Sequence, residues 1–238
     1  MSHGTRRAMR KTHLESLASL EQIERYPEFL DFCLDPLFLA AGARYLGDLP
    51  VLATVDLWHS KAETGAYHTS QLYHRDLDDA RQFKVFLFIS DVDAESGPLT
   101  VLPAEVSERV CRRLRYRPTS GNFRITDDQI RPLLVAGEEQ VLTGPSGTIV
   151  LVDTSRLLHF GSRVSSCDRY VVVAQYLTPT NFMRNPFYSL EPWPYAPLAP
   201  ARVTPLQRAV LGEGLPGSPR PPSLSPEASF SRPAGRRS

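Results

Sequence analysis

Long hydrophobic runs are missing from this sequence: no stretch approaches the roughly 18 to 20 apolar residues that a membrane-crossing helix needs. Paired cysteines are missing too. Cys33, Cys111 and Cys167 lie far apart with no CxxC pair, which excludes a cysteine-rich zinc site. The odd count, and a basic, polar opening from Met1 to Lys11 with no apolar run behind it, point to a reducing, cytoplasmic setting. An excess of either charge is absent, with 27 Lys plus Arg against 26 Asp plus Glu, so bulk attraction to nucleic acid or an anionic membrane is not expected. Lysine is scarce, and the arginines are spread rather than striped. No GxSxG elbow is present, and Gly144-Pro-Ser-Gly147 is a turn without the Lys-Ser/Thr and helix of a phosphate loop. No internal repeat is visible.

What is present fits one domain with a sizeable core, at 238 residues and 42% hydrophobic content. The first third reads helical. Asp35-Pro36, the run LFLAAGARYL and Gly47 set a capping acid, a first-turn proline and a terminating glycine in order. A shorter helix is expected before it, within Leu14 to Phe32. From Val51 the signals turn to strands: VLATVDLWH, FKVFLFISDV, PLTVL, GTIVLVD and RYVVVAQYLT, rich in β-branched and aromatic residues. Ala104 to Tyr116 has helical spacing, with Cys111 on an amphipathic face, and Asp127 to Leu134 adds a turn. Long helices do not alternate with these strands, so the reading is mainly β with N-terminal helices, as a double-sheet roll or barrel. Of 21 prolines, 12 fall between Pro186 and Pro233. The expected division is a helical segment over 1–50 packed on the roll, a core over 51–184, an irregular aromatic and proline-rich extension over 185–211, and a disordered tail over 212–238.

The chemistry concentrates at Gln71-Leu-Tyr-His74-Arg-Asp76. In an extended chain, positions i and i+2 share a face, so the His74 imidazole and Asp76 carboxylate can converge on one ion. His159 follows the apolar strand GTIVLVD and a short return. Two imidazoles and one carboxylate leave three octahedral positions open, the facial triad of non-haem iron(II) oxygenases. Ten residues past His159, Arg169 opens the strand RYVVVAQYL. A buried guanidinium needs an anion; the distal carboxylate of 2-oxoglutarate is one candidate, and adjacent Asp168 at the surface is the other.

The order HxD, Ser96-Gly97-Pro98-Leu99, Gly147-Thr148, His159 and Arg169 resembles the phytanoyl-CoA dioxygenase-like branch of Fe(II)/2-oxoglutarate-dependent oxygenases, over roughly Val51 to Pro179. The resemblance implies a double-stranded β-helix (jelly roll) with His74, Asp76 and His159 as ligands of Fe(II). It implies Arg169 as the anchor of the 2-oxoglutarate C5 carboxylate and Gln71 as a further co-substrate contact. It also implies that Lys84, Phe86 and Phe88, on one face of their strand, line the pocket, with Lys84 as a second positive contact. The implied reaction consumes O2 and 2-oxoglutarate, releases succinate and CO2, and oxidises a small organic metabolite. Specialised metabolism is the expected setting, without nucleic acid or membrane as partner. The acid of the HxD motif is present, which favours hydroxylation over halogenation. Pro103-Ala104-Glu105-Val106 departs from the Pro-Gly-Ser-His of many relatives on the substrate side. Trp58, Tyr67 and Tyr73 are expected with Phe86 and Phe88 as an aromatic lining, whereas His59 and His68 have no partner at ligand spacing. The rival readings are a roll that binds a ligand without catalysis, or a cupin-like metalloenzyme that does not use 2-oxoglutarate. Arg169 and Gln71 discriminate against the latter.

Overall fold

The computed structural model of the chain describes residues 13–62, 66–117, 124–163, 166–181 and 193–215. Helix α3 (Pro36–Leu46) forms as its sequence dictates: the Asp35 carboxylate accepts the Leu37 N–H, and Gly47 ends the helix at φ +75°. The stretch before it differs from expectation. Leu14–Ser16 is a strand, β1, because it finds a partner at the edge of a sheet, and Pro27 divides the remainder into α1 (Leu20–Arg25) and α2 (Glu28–Cys33).

Among the described residues ten strands form two five-stranded sheets whose pairings are all antiparallel. The first sheet runs β1, β2 (Val51–Ser60), β10 (Arg169–Leu177), β4 (Phe83–Phe88) and β8 (Ile149–Val152). The second runs β6 (Arg124–Ile125), β3 (Tyr73–His74), β9 (His159–Phe160), β5 (Thr100–Val101) and β7 (Gln140–Val141). This is a double-stranded β-helix, the fold class the sequence predicts.

Strand alternation sorts side chains to the two faces of each sheet. On the first sheet Val55, Val85, Val172, Ala174 and Tyr176 turn outward and pack with Leu30, Phe38 and Leu39 of α2 and α3. The second sheet's outer face carries Tyr73, Ile125 and Phe160, packed with Val106 and Val110 of α4 (Ala104–Leu114) and with Ile130, which ends α5 (Asp127–Ile130). Helices thus cover both outer faces, and the inner faces enclose the site.

The segment after 192 is more ordered than an irregular extension. The Tyr195 hydroxyl accepts the Val55 N–H at 2.9 Å, and Thr204 caps α6 (Pro205–Val210), whose Val210 and following Leu211 are fully buried. The tail expected from 212 falls, beyond residue 215, outside the described residues. Among the described residues no helix is long and apolar enough to cross a membrane.

Candidate metal and co-substrate site

β3 and β9 pair with His74 directly opposite His159. Facing positions on one side of an antiparallel pair stand within side-chain reach, and the two rings lie 4.3 Å apart between centroids. Each ring is oriented the same way. His74 Nδ1 donates to the Leu72 carbonyl at 2.8 Å, and His159 Nδ1 donates to the Leu157 carbonyl at 3.0 Å. That tautomer leaves both Nε2 lone pairs aimed at a common point. Burial, followed by the neighbouring His159, pulls the His74 pKa down to about 3, so the ring is neutral at physiological pH.

Asp76 completes the group. Its N–H donates to the Thr154 carbonyl at 2.9 Å. Its Oδ1 lies 3.7 Å from His74 Nε2 and its Oδ2 3.9 Å from His159 Nε2. Burial works to raise the carboxyl's pKa, but the charge and hydrogen bond of the Lys84 ammonium outweigh it and hold the group well below the usual carboxylate range. One ligand atom from each of the three residues falls within a 4.8 Å cluster, an arrangement that could hold a metal ion. Two imidazole nitrogens and a carboxylate oxygen suit a first-row divalent ion.

These residues open into a cavity of about 160 Å³ between the sheets. Trp58, Phe86, Phe88, Val150, Val171 and Val173 supply apolar wall, and Lys84, Thr154, Ser162 and Arg169 supply the polar groups beside the trio. Arg169 is only 8% exposed. Its Nη2 donates to Ser60 Oγ at 3.0 Å and Ser162 Oγ at 3.1 Å, and its Nε has no partner among the described residues. Desolvation lowers its pKa to about 10, which leaves it charged. The surface alternative does not hold, because Asp168 faces elsewhere, receiving His59 Nε2 at 2.7 Å and the Ala62 N–H at 2.9 Å.

A larger cavity, about 310 Å³, lies on the opposite face of the second sheet, reached by Phe160 where His159 turns inward. Its Arg163 makes two bonds to Asp127, at 3.1 and 2.8 Å, donates from Nε to the Gln71 carbonyl and lies over the Phe160 ring. That arginine already has its anion, which Arg169 lacks among the described residues.

Several sequence expectations are placed differently. Gln71 does not line the cavity: its Nε2 donates to the Ser162 carbonyl at 2.6 Å and its Oε1 accepts the His68 N–H at 3.2 Å. It therefore braces the residue whose hydroxyl holds Arg169. Tyr73 turns away from its neighbour His74 into the outer core and donates to Glu139, and the Tyr67 ring lies against the Arg163 guanidinium, so neither belongs to the lining. Lys84 does face the cavity, with Phe86 and Phe88, and meets Asp76 Oδ2 at 2.5 Å. Ser60, Thr154 and Ser162 were not singled out by the sequence. Ser60 stands opposite Arg169 in the β2–β10 register, so strand pairing alone carries that signal.

No protein-family model matches the chain, and no curated protein matches its sequence. Solved structures do resemble it. EctD from S. alaskensis with bound Fe aligns at 17% identity over 72% of this chain and 60% of that one, with a TM-score of 0.51. SnoK, a non-haem alpha-ketoglutarate-dependent carbocyclase from nogalamycin biosynthesis, aligns at 16% over 70% and 64%, with a TM-score of 0.49. HygX from Streptomyces hygroscopicus with nickel, 2-oxoglutarate and hygromycin B bound aligns at 16% over 70% of each chain, with a TM-score of 0.46. The chain thus spans about two thirds of the length of these structures. At such identities the likeness to EctD establishes the shared jelly-roll fold.

Proposed function

We propose that this protein is an Fe(II)- and 2-oxoglutarate-dependent oxygenase acting on a small organic metabolite. The observation that carries the reading is Arg169, buried and charged, with its Nε unpartnered, in the same cavity as His74, Asp76 and His159. A metal trio alone suits many reactions. A trio beside a guanidinium that lacks a carboxylate partner among the described residues suits a co-substrate that chelates metal at one end and carries an anion at the other.

Bound there, Fe(II) with 2-oxoglutarate and O2 supplies the power to oxidise an unactivated C–H bond, with succinate and CO2 as co-products. The protein's own part is positioning. His74, His159 and Asp76 hold one face of the ion. Arg169, steered by the Ser60 and Ser162 hydroxyls, fixes the distal carboxylate of the co-substrate. Phe86, Phe88, Val171 and Val173 give the cavity an apolar wall against which a substrate can pack. Asp76 fills the position that a halide would need, which favours hydroxylation or a related oxidation. The apolar wall favours a modest organic substrate, consistent with a tailoring step in specialised metabolism.

Calorimetry on metal-loaded protein tests the reading. It should show 2-oxoglutarate binding, with succinate released once O2 is admitted. Asp76→Ala should abolish metal binding and turnover while leaving the far-ultraviolet circular dichroism unchanged. Metal-loaded protein that fails to bind 2-oxoglutarate overturns the assignment.

A further inference from the structure

We propose that Lys84 is a positioning residue for the metal: it engages one oxygen of Asp76, reserves the other for the ion, and lowers the site's affinity for divalent cations. This rests on the metal reading of the trio, though not on the identity of the substrate.

Three observations carry it. First, Asp76 Oδ2 already accepts two hydrogen bonds, from Lys84 Nζ at 2.5 Å and from Thr154 Oγ1 at 2.6 Å. Oδ1, which lies 3.7 Å from His74 Nε2, is the oxygen left for the ion. The carboxylate is thereby steered to one-oxygen ligation, which keeps further positions of the coordination sphere open.

Second, the lysine is fixed. β4 lies between β10 and β8, with Lys84 opposite Gln175 on one side and Val152 on the other, and its side chain is 14% exposed. A cation held at this place opposes the arrival of a second cation, because water screens half-buried charges less than exposed ones.

Third, the residue type is informative. Only three of the 27 basic residues are lysines, Lys11, Lys61 and Lys84. An arginine fork would span both carboxylate oxygens and compete with the ion for Oδ1, whereas an ammonium is a point donor to one. In a chain so rich in arginine, lysine stands where a bidentate partner would block ligation.

The two substitutions at this position should therefore act in opposite directions. Full-length protein stripped of metal is titrated with Co(II) alone, without 2-oxoglutarate, by calorimetry and by the cobalt visible bands. Lys84→Met should bind Co(II) at least tenfold more tightly than the parent, and Lys84→Arg at least tenfold more weakly. The metal-free Lys84→Met protein should also melt at a lower temperature and gain more from Co(II) than the parent does. Lys84→Gln, which keeps a neutral donor to Oδ2, serves if Lys84→Met does not fold, and should likewise tighten Co(II) binding. Unchanged or weakened Co(II) affinity in Lys84→Met or Lys84→Gln overturns the inference. So does a loss confined to 2-oxoglutarate affinity in the metal-loaded variants, which would make Lys84 a co-substrate contact. A parent protein that binds no Co(II) overturns the metal site itself, a result separable from either.

Discussion

Arg169 holds a charge inside a largely apolar cavity with two serine hydroxyls and, among the described residues, no carboxylate for company, which is costly until an anion arrives. Function and stability should therefore part at this residue. Arg169→Met is expected to weaken 2-oxoglutarate binding at least 100-fold, since an unpaired buried anion costs about 2–5 kcal/mol. The same change should leave the ligand-free fold as stable or stabilise it by about 1–3 kcal/mol, by removing an uncompensated charge. The serines need no replacement partner, because Ser60 Oγ and Ser162 Oγ already lie 2.8 Å apart. Calorimetry and urea unfolding of the same preparation check both halves, and lost stability with retained binding would contradict the anchor role. The contrast with Arg163 supplies a control: that guanidinium is paired with Asp127, so its loss should destabilise the fold.

At the scale of elements, the turn Ser96-Gly97 bears directly on the anchor. Gly97 sits at φ +64°, and a Cβ there would come 2.8 Å from the Arg163 carbonyl and 3.1 Å from Ser162 Cα. The Ser162 N–H also donates to the Gly97 carbonyl at 3.0 Å. Gly97→Ala should cost about 1–3 kcal/mol in urea unfolding and displace the segment that orients Arg169, raising the 2-oxoglutarate requirement. The Gly-Pro turn was readable in the sequence, as were both ends of α3 and the four longest strands, β2, β4, β8 and β10, each of which carries a full hydrophobic pattern. The strands that carry His74 and His159 were not. β3 and β9 have two residues each, too few to show a period, and they are held by pairing with neighbours distant in sequence. Leu14–Ser16 likewise becomes a strand only because β2 offers an edge. The misplacement of Tyr73 was avoidable: alternation with an inward His74 turns it outward. Gln71 was not avoidable, since its hydrogen-bond partner Ser162 comes from a loop 91 positions away.

For the molecule as a whole, the buried imidazole makes stability depend on pH. His74 is pulled from 6.5 to about 3 by burial, and the unfolded chain keeps the ordinary value. Below about pH 6.5 the unfolded state therefore binds the extra proton, and the metal-free fold loses stability on the order of 1 kcal/mol per pH unit as acidity rises. The depressed carboxyl of Asp76 adds a further loss below the normal carboxylate range. Urea midpoints of metal-free protein should fall from about pH 7 to about pH 5, and His74→Gln should flatten that slope; a flat parent profile would show that His74 is not held neutral by burial. One feature of the topology reaches into how the chain is made. β10, the last strand among the described residues, lies between β2 and β4, and its Gln175 meets Thr54 across 121 positions. During synthesis the first sheet can only be a gap awaiting its middle strand until nearly the whole roll has left the ribosome. Because Arg169 travels on that strand, the anchor proposed for 2-oxoglutarate is assembled only once β10 has entered the sheet, so a fragment ending before residue 169 should fail to bind the co-substrate.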